Sequence, residues 1–442
     1  MSELLVLIEG QRAARVRADR TGRLTLEYEP GWLSYEQSHP LSLTMPLSER
    51  TYPHKIVWAY LWNLLPENPN VLQRWGRQYR VSANNPFKLL TYVGADVPGA
   101  AQFIPPDREN EFRGAQPPTI EWMGEQEIQD RLRQLREDIA AVRRPADIGK
   151  MSLPGAQAKT AYYHDPKTQR WGIPGGRTPT THIIKPCIPG FDGIVENEHL
   201  CQDIAARLGM PAATSEVMLL DQPYIVITRY DRLPPASGSE FPQRIHQEDM
   251  CQALGLLPGL KYQEDGGPNI AQIVALIRRV SASPEEDIER FINANIFNWF
   301  IGGTDAHAKN YSLLISFDED VRLAPLYDLS SQLPYPDLID QKLAMRVGQH
   351  YAIPRIGRED WQRLAQDCAI EEKRVFDLIA HMTENLPQAI SAAKAQALAD
   401  GLSDGIVTSL SNQLTQHVKE RLASIAVTRP HGKPVTRRRP RR

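Results

Sequence analysis

Apolar and polar positions alternate over the first part of the chain, which predicts a small sheet near the N-terminus. Asp19-Arg20-Thr21-Gly22 supplies a turn between two of the alternating segments. Helical apolar spacing follows, and then a short piece with strand character. The predicted elements of this α+β region are strands at Leu4 to Glu9, Ala14 to Ala18 and Arg23 to Tyr28, helices at Ile56 to Leu65 and Pro86 to Val93, and a strand at Ala100 to Ile104.

A change of pattern predicts a domain boundary near residue 145. Pro105 to Pro118 is rich in proline, glycine and charge, which is typical of a linker or surface loop. Gly124 to Val142 has the spacing of a charged amphipathic helix, and Arg143-Arg144-Pro145 ends it. Short strand-like segments then surround a single helix, Glu196 to Leu208. The strands are predicted at Lys159 to His164, Thr181 to Lys185, Ser215 to Leu220 and Tyr224 to Arg229.

Helical spacing dominates after Pro234-Pro235. The helix at Pro284 has a strong start signal, because Ser283 can cap it, proline fits the first position and Glu286 completes a capping box. The predicted helices are Gln247 to Leu254, Ile270 to Val280, Pro284 to Ile301, Trp361 to Asp367, Lys373 to Thr383 and Ser403 to Ile425. The pattern divides the chain into an N-terminal α+β domain (1–145), a small sheet-rich lobe (146–233), a large helical lobe (234–428) and a basic tail (429–442).

Composition places the chain among globular intracellular proteins. Its 442 residues exceed the roughly 250–300 at which one core stops growing, and 41% hydrophobic with 24% charged residues is ordinary for such a protein. No apolar run reaches the ~20 residues of a membrane span, and the N-terminus lacks the pattern of a secretory signal. Four scattered cysteines form no CxxC pair, which argues against a zinc knuckle or a disulfide framework. We therefore expect a cytoplasmic protein with no membrane partner.

Charge is concentrated at the C-terminus. The net charge is -2, but the last 14 residues carry seven basic side chains and no acidic one, so the rest of the chain has a net charge of -9. Such a tail fits contact with nucleic-acid phosphates and fits equally a solubilising end.

The helix at Pro284 delivers the loop Thr304 to Asn310, which a strand pair follows. The residue before the first strand of a hairpin lies near the residue after the second, so Asn310 and Asp328 are predicted to meet. Their side-chain oxygens suit magnesium, which takes few protein ligands together with water and phosphate. Asp305 is then placed as the base that orients or deprotonates an attacking hydroxyl. His307 and Lys309 of the same loop are predicted to lie beside the phosphates.

Upstream cations and backbone groups complete a predicted ATP site. Lys185 ends a strand as the phosphate-binding lysine of a kinase does, and Glu198 on the following helix could hold its ammonium, with Glu196 as a rival. At the crossover between lobes, Thr228 and Tyr230, which flank Arg229, are predicted to offer backbone groups to adenine. A segment of small residues leading into a strand could lay amides on phosphate, although it fits no Gly-rich motif: Pro154, Gly155, Ala156, Gln157, Ala158 and Lys159.

These residues resemble the HipA family, the serine/threonine kinase toxins of bacterial toxin–antitoxin pairs, along essentially the whole chain. The resemblance is carried by Ser152-Leu-Pro-Gly-Ala-Gln-Ala-Lys-Thr160, Ile184-Lys-Pro186, Asn197-Glu198, Gln247-Glu-Asp-Met-Cys-Gln252, Ile301-Gly-Gly-Thr-Asp-Ala-His-Ala-Lys-Asn310 and Leu326-Tyr-Asp-Leu329. In the N-terminal region, Pro40 to Pro46, Asn63 to Asn68 and Gly99 to Gln102 are similar to the extra domain of full-length members.

The resemblance implies a bilobal protein-kinase-like fold that uses ATP and magnesium to phosphorylate a protein. It implies that Asp305 is the catalytic aspartate, that Asn310 and Asp328 are the magnesium ligands, and that Gln247 and Glu198 are supporting residues. It further implies an autophosphorylated serine at Ser152 whose modification expels the phosphate loop and switches the kinase off. The implied partners are a helix-turn-helix antitoxin similar to HipB, operator DNA through that complex, and a protein target with glutamyl-tRNA synthetase as the leading candidate.

Two other functions stay open on the residues alone. A small-molecule or lipid kinase would use a similar Asp-x-His-x-x-Asn loop with a later Asp. A degraded kinase fold that acts as a DNA corepressor would have lost a metal ligand or the base, and this chain retains all of them.

Overall fold

The computed structural model describes residues 2–113, 118–144, 147–236, 240–316, 320–336 and 341–426. The basic tail and residues 317–319, between the two strands predicted after Asn310, lie outside these ranges, as do residues 145 and 146 at the predicted domain boundary. The division of the chain into domains at residues 145, 233 and 428 stays a prediction.

The N-terminal region is built on a five-stranded antiparallel sheet in the order β4-β3-β2-β1-β5. The sheet packs on short helices through a core that includes Trp32 and Tyr60, and both residues are fully buried. The predicted opening strands are confirmed with small shifts. The elements are β1 Ser2–Ile8, β2 Gln11–Ala18, β3 Leu24–Tyr28, α1 Pro30–Leu33, β4 Thr51–Pro53, α2 His54–Trp62, α3 Pro69–Tyr79, α4 Pro86–Val93 and β5 Ala101–Ile104.

A second sheet of six strands, in the order β10-β11-β9-β7-β8-β6, forms the small lobe. Its edge strand β6 comes from residues before the predicted boundary at 145 and pairs with β8 from Thr119 opposite Gly175 to Trp122 opposite Gly172. Part of the predicted N-terminal domain therefore contributes to this sheet. The elements are β6 Thr119–Trp122, α5 Glu125–Glu137, β7 Thr160–Asp165, β8 Arg170–Gly175, β9 His182–Pro186, α6 Ile194–Arg207, β10 Ser215–Leu219 and β11 Pro223–Thr228.

The rest of the chain is mainly helical, with three small sheets. Its core surrounds α9, whose residues from Ala294 to Ile301 are all buried. The elements are β12 Arg232–Pro235, β13 Pro242–Arg244, β14 His246–Asp249, α7 Met250–Ala253, α8 Ile270–Val280, α9 Pro284–Ile301, β15 Ser312–Ile315, β16 Val321–Leu323, β17 Lys342–Val347, β18 His350–Ala352, α10 Arg358–Asp367, α11 Glu372–Ala399 and α12 Asp404–Ala426. None of the helices in the described ranges is long and apolar enough to span a bilayer.

Two local predictions are wrong. The helix predicted from Gln247 is a strand for its first residues, because β14 pairs with β15 and leaves only the short helix α7 behind it. Ser283 does not cap α9; instead Ser281 Oγ donates to Asp287 at 2.7 Å, and the amide of Leu323 donates to the same carboxylate at 2.9 Å. This buried aspartate in the first turn ties the helix to the hairpin that follows the loop 304–310.

Candidate active site

The loop that carries Asp305 is held rigidly at its start. Helix α9 ends at Gly302, whose φ of +68° is the left-handed conformation that glycine adopts easily. At Gly303 an added Cβ would lie 2.3 Å from the side-chain oxygen of Asn298, so a larger residue would not fit. The loop then makes one 3-10 turn over Ala308–Asn310 and enters β15. Because both ends belong to core elements, the loop has a fixed position.

Asp305 and Asn310 are in contact within the loop. The Nδ2 of Asn310 donates to the backbone oxygen of Asp305 at 2.8 Å, and the amide of Asn310 donates to His307 O at 2.9 Å. These bonds commit the nitrogen of the Asn310 side chain to the loop, which leaves its oxygen as the group that could bind a cation. The residue Asp305 itself is exposed, which is compatible with the role of base predicted for it.

Asp328 follows β16 and has unusual backbone geometry. Its φ of 58° lies in the left-handed region, which is uncommon for residues other than glycine and concentrates at functional sites. One carboxylate oxygen lies 2.5 Å from Lys185 Nζ. Burial alone would raise the pKa of Asp328, but the ammonium groups of Lys185 and Lys159 lower it strongly. The carboxylate is therefore ionised and has two cations beside it.

Lys185 links strand β9 to helix α6. Its Nζ donates to Glu198 Oε1 at 2.7 Å, and the Lys185 and Glu198 side chains are each 5% exposed. Burial disfavours the ammonium, yet the carboxylates of Asp328 and Glu198 outweigh burial and raise the pKa of Lys185. Burial also raises the pKa of Glu198, and Lys185 partly offsets that effect. Glu196, the rival partner, is not bonded to this lysine; its Oε2 is a buried atom that lacks a hydrogen-bond partner among the described residues.

The predicted phosphate loop lies between the small lobe and the N-terminal region. Lys159 Nζ donates to Pro154 O at 2.9 Å, and burial together with Lys185 lowers the pKa of Lys159 to about 8. Gly155 has a φ of +106° and its oxygen accepts from the amide of Glu67 at 3.1 Å. Ser152 is fully buried, and its hydroxyl donates to Leu64 O at 2.7 Å.

The predicted adenine contacts are partly used by the protein itself. The amide of Thr228 donates to Thr214 O and that of Arg229 to Thr181 O, both at 2.9 Å, so neither amide is available to a ligand. The guanidinium of Arg229 is buried and bonds Asp231 at 2.9 Å. Tyr230 and Gln247 form a linked pair: the tyrosine hydroxyl donates to Gln247 Oε1, and Gln247 Nε2 donates to Asp231.

Lys309 and His307, which were predicted to lie beside the phosphates, are both buried. Lys309 Nζ is buried against Asp249 at 2.5 Å and Asn63 Oδ1 at 2.9 Å, so it ties the loop 304–310 to β14 and to the N-terminal region. Burial, reinforced by Lys261, lowers the pKa of His307 to about 3, so the imidazole is neutral at physiological pH. Its Nδ1 is buried and has no hydrogen-bond partner within the described part of the chain.

Most of these groups line one cavity of about 720 Å³, which is within the usual range for ligand pockets. The lining includes every predicted cofactor residue together with Glu198, Gln247 and Asp305. Within the described ranges no group of three or more His, Cys, Asp or Glu side chains could hold a metal ion.

Residues 151–390 match the family model described as HipA-like C-terminal domain, and residues 4–104 match the model described as HipA N-terminal domain. The first match alone covers more than half of the chain. The chain belongs to the HipA family. A putative kinase of Sinorhizobium fredii is 34% identical to it over 392 residues, which are 87% of this chain and 90% of that protein.

The HipA family also supplies a related toxin and a solved structure. The serine/threonine-protein kinase toxin HipA of Shewanella oneidensis is 26% identical over 387 residues, 83% of this chain and 83% of the toxin. The solved complex of Shewanella oneidensis HipA, HipB and operator DNA contains a chain that superposes with a TM-score of 0.81 at 23% identity, covering 95% of this chain and 97% of that one. This likeness confirms the fold predicted for a HipA family member.

Three residues of the site were not predicted. Tyr262 donates from its hydroxyl to Asp305 Oδ1 at 2.5 Å, and Lys261 pairs with Glu67 at 2.6 Å. Glu67 belongs to a segment that the sequence analysis associated with the extra domain of HipA family members. Local spacing does not mark the other two, because Lys261 and Tyr262 make these contacts with segments that are distant in the chain.

Proposed function

We propose that this chain is an ATP- and magnesium-dependent serine/threonine-protein kinase that acts as the toxin of a toxin–antitoxin pair. The observation that carries the proposal is the convergence of Lys185, Asp328 and Asp305 on one cavity, with Glu198 holding the lysine. This combination provides a cation for phosphate, an ionised oxygen ligand and an exposed carboxylate for the acceptor hydroxyl. Phosphoryl transfer needs little else, because positioning and charge neutralisation supply most of its catalysis.

The residues present fit magnesium-bound ATP. Magnesium would be held by the side-chain oxygen of Asn310 and the carboxylate of Asp328, with phosphate and water completing the oxygen ligands that this ion prefers. When bound, magnesium would neutralise phosphate charge. Lys185 and Lys159 would hold phosphate oxygens, and Asp305 would orient the acceptor hydroxyl and accept its proton. Leu153 and Ile183 line the cavity and offer apolar surface to the adenine ring.

The proposed partners come from the named relatives. The Shewanella oneidensis relative is a kinase toxin, and its solved complex contains HipB and operator DNA. By this likeness, the proposed partners of the chain are a helix-turn-helix antitoxin similar to HipB and operator DNA bound through that complex. Glutamyl-tRNA synthetase is the proposed target, whose phosphorylation would halt translation and arrest growth.

Autophosphorylation at Ser152 is proposed as the off-switch. The hydroxyl is fully buried and bonded to Leu64 O, so the loop must leave its place before the serine can accept phosphate. A phosphoserine, with a charge of about -1.5 to -2 near pH 7, could not return to this buried position without a large desolvation cost. The displaced loop would take Lys159 away from the phosphates.

Incubation with γ-labelled ATP, magnesium and glutamyl-tRNA synthetase tests the proposal. We expect label on the synthetase and on Ser152, and loss of both in Asp305→Ala by a factor of roughly 10² to 10⁴, the usual contribution of a positioned base. Label on a lipid or sugar with none on protein would favour the small-molecule kinase. Absence of any ATP turnover would refute the kinase and favour the DNA corepressor.

A further inference from the structure

Tyr262 touches the proposed catalytic base directly. It lies between α7 and α8, and its hydroxyl donates to Asp305 Oδ1 at 2.5 Å. Its ring meets His307 edge to face, with 5.0 Å between the ring centroids. The tyrosine is therefore in contact with two side chains of the catalytic loop.

The loop that carries this tyrosine is stiff. The amide of Gly267 donates to Tyr262 O at 2.9 Å, and an added Cβ at Gly267 would lie 2.3 Å from Leu260 O, so the loop closes tightly on itself. The amide of Ala308 donates to Lys261 O at 3.1 Å and fixes the same loop to the catalytic loop. Backbone hydrogen bonds therefore hold Tyr262 within its own loop and hold that loop against the one that carries Asp305.

Glu67 connects this arrangement to the N-terminal region. Its carboxylate lies 2.6 Å from Lys261 Nζ, and both side chains are only 16% exposed. The same ammonium lies over the ring of Tyr262, 5.2 Å from its centroid. The backbone of Glu67 also holds Gly155 of the phosphate loop. Glu67 therefore contacts both the loop that carries Tyr262 and the phosphate loop.

We propose that Tyr262 is a positioning residue that orients the carboxylate of Asp305, and that Glu67 holds Tyr262 in place through Lys261. The inference rests on the proposed kinase function and deepens it. A bonded Oδ1 leaves Oδ2 to face the acceptor hydroxyl, which is how a catalytic base oriented by a third group works. Through Glu67, the N-terminal region then contributes to the rate of the reaction at the active site.

Tyr262→Phe tests the first step, because it removes the hydroxyl and keeps the ring under Lys261. ADP release from magnesium-ATP is measured with glutamyl-tRNA synthetase present, since this readout counts transfer to any acceptor, water included. We expect kcat to fall by roughly 10-fold to 100-fold, the range for a hydrogen bond to a charged group, with the KM for ATP unchanged. Tyr351→Phe, a half-buried tyrosine outside the cavity, is the matched control and should leave both constants unchanged.

A rise in kcat on Tyr262→Phe would overturn the proposal, since it would mean that the tyrosine hydroxyl occupies the place of the acceptor hydroxyl. An unchanged kcat would overturn it as well. A fall in kcat together with a large rise in the KM for ATP would point to a collapsed site and would also count against positioning.

Charge exchange tests the role of Glu67. Glu67→Lys and Lys261→Glu should each lower kcat by about 10-fold or more, because each places like charges together in a half-buried pair. The double variant restores opposite charges, and we expect it to recover most of the lost activity. If the double variant is no better than the worse single variant, the ion pair does not position Tyr262.

The two proposals fail differently. A wild-type chain that releases no ADP refutes the kinase function and with it this role for Tyr262. A wild-type chain that is active and loses activity in Asp305→Ala, but not in Tyr262→Phe, keeps the kinase function and refutes the positioning role alone.

Discussion

Replacement of Lys185 by methionine should leave a buried carboxylate without its cation, and the cost should depend on pH. Methionine fills a similar volume but offers no charge to Glu198, whose side chain is 5% exposed. Both Asp328 and Glu198 keep Lys159 as a cationic neighbour. Glu198 bears the larger loss, because its side chain is far less exposed than the 35% of Asp328. The least costly response for Glu198 is to bind a proton.

The magnitude follows from the free energy of protonation. A carboxyl with an ordinary pKa of 4.5 costs about 3.4 kcal/mol to protonate at pH 7 and about 1.4 kcal/mol at pH 5.5, at about 1.4 kcal/mol per pH unit. In the variant the folded-state pKa of Glu198 is raised above its unfolded value, so stability is retained at low pH and lost as pH rises. We therefore expect Lys185→Met to destabilise the protein by up to about 3.4 kcal/mol at pH 7 and by less than half of that at pH 5.5.

Urea unfolding, followed by tryptophan fluorescence at both pH values, measures the effect as a shift of the midpoint from wild type. Lys185→Met combined with Glu198→Gln should remove the pH dependence, because the amide has no proton to take up. Lys373→Met is the control, since that lysine is 81% exposed and its ion pair contributes about 0–1 kcal/mol. A destabilisation that is equal at the two pH values, or that Glu198→Gln does not relieve, would refute the reasoning.

Three further substitutions test other contacts. Ser152→Asp should weaken ATP binding by expelling the phosphate loop, whereas Ser152→Ala should keep it; equal ATP affinities in calorimetry would contradict this. Asp249→Asn should cost about 3 kcal/mol in urea unfolding because Lys309 stays buried without its anion, and a loss below 1 kcal/mol, the value expected for exposed Asp377→Asn, would refute it. Burial raises the pKa of Glu248 to about 8, so Glu248→Gln should stabilise the fold by up to about 3 kcal/mol at pH 7 and by little near pH 4.5; a gain that does not change with pH would argue against it.

Elements with strong local signals could be predicted from the sequence. The bounds of α4, α8 and α9 agree with the predicted ranges, because proline at the first helical position or a well-placed cap marks the start of each. The strand β14 was missed, since its polar sequence is stabilised by pairing with β15, which lies more than 60 residues later in the chain. Pairing at that distance leaves no local periodicity.

The residues of the candidate site also fall into two groups, those that local spacing predicts and those that depend on distant contacts. Asp305, Asn310 and Asp328 line one cavity, and their grouping could be predicted because a helix and a hairpin fix their relative positions over short stretches of chain. Lys309 and Arg229 were assigned to the nucleotide, yet Asp249 from a distant segment neutralises Lys309. Arg229 is neutralised by its near neighbour Asp231 and by Asp96, which again comes from a distant segment. Charge pairing across separate elements is invisible to spacing rules, because any of many carboxylates could be the partner.

The edge strand β6 has a practical consequence for dissecting this protein. Thr119–Trp122 covers the outer side of β8, so a chain begun at residue 146 would present the backbone donors and acceptors of β8 to solvent. Unprotected edges of this kind recruit strands from other molecules and promote aggregation. A shortened chain that begins near residue 118 keeps this strand in place and should remain monodisperse where the shorter one precipitates.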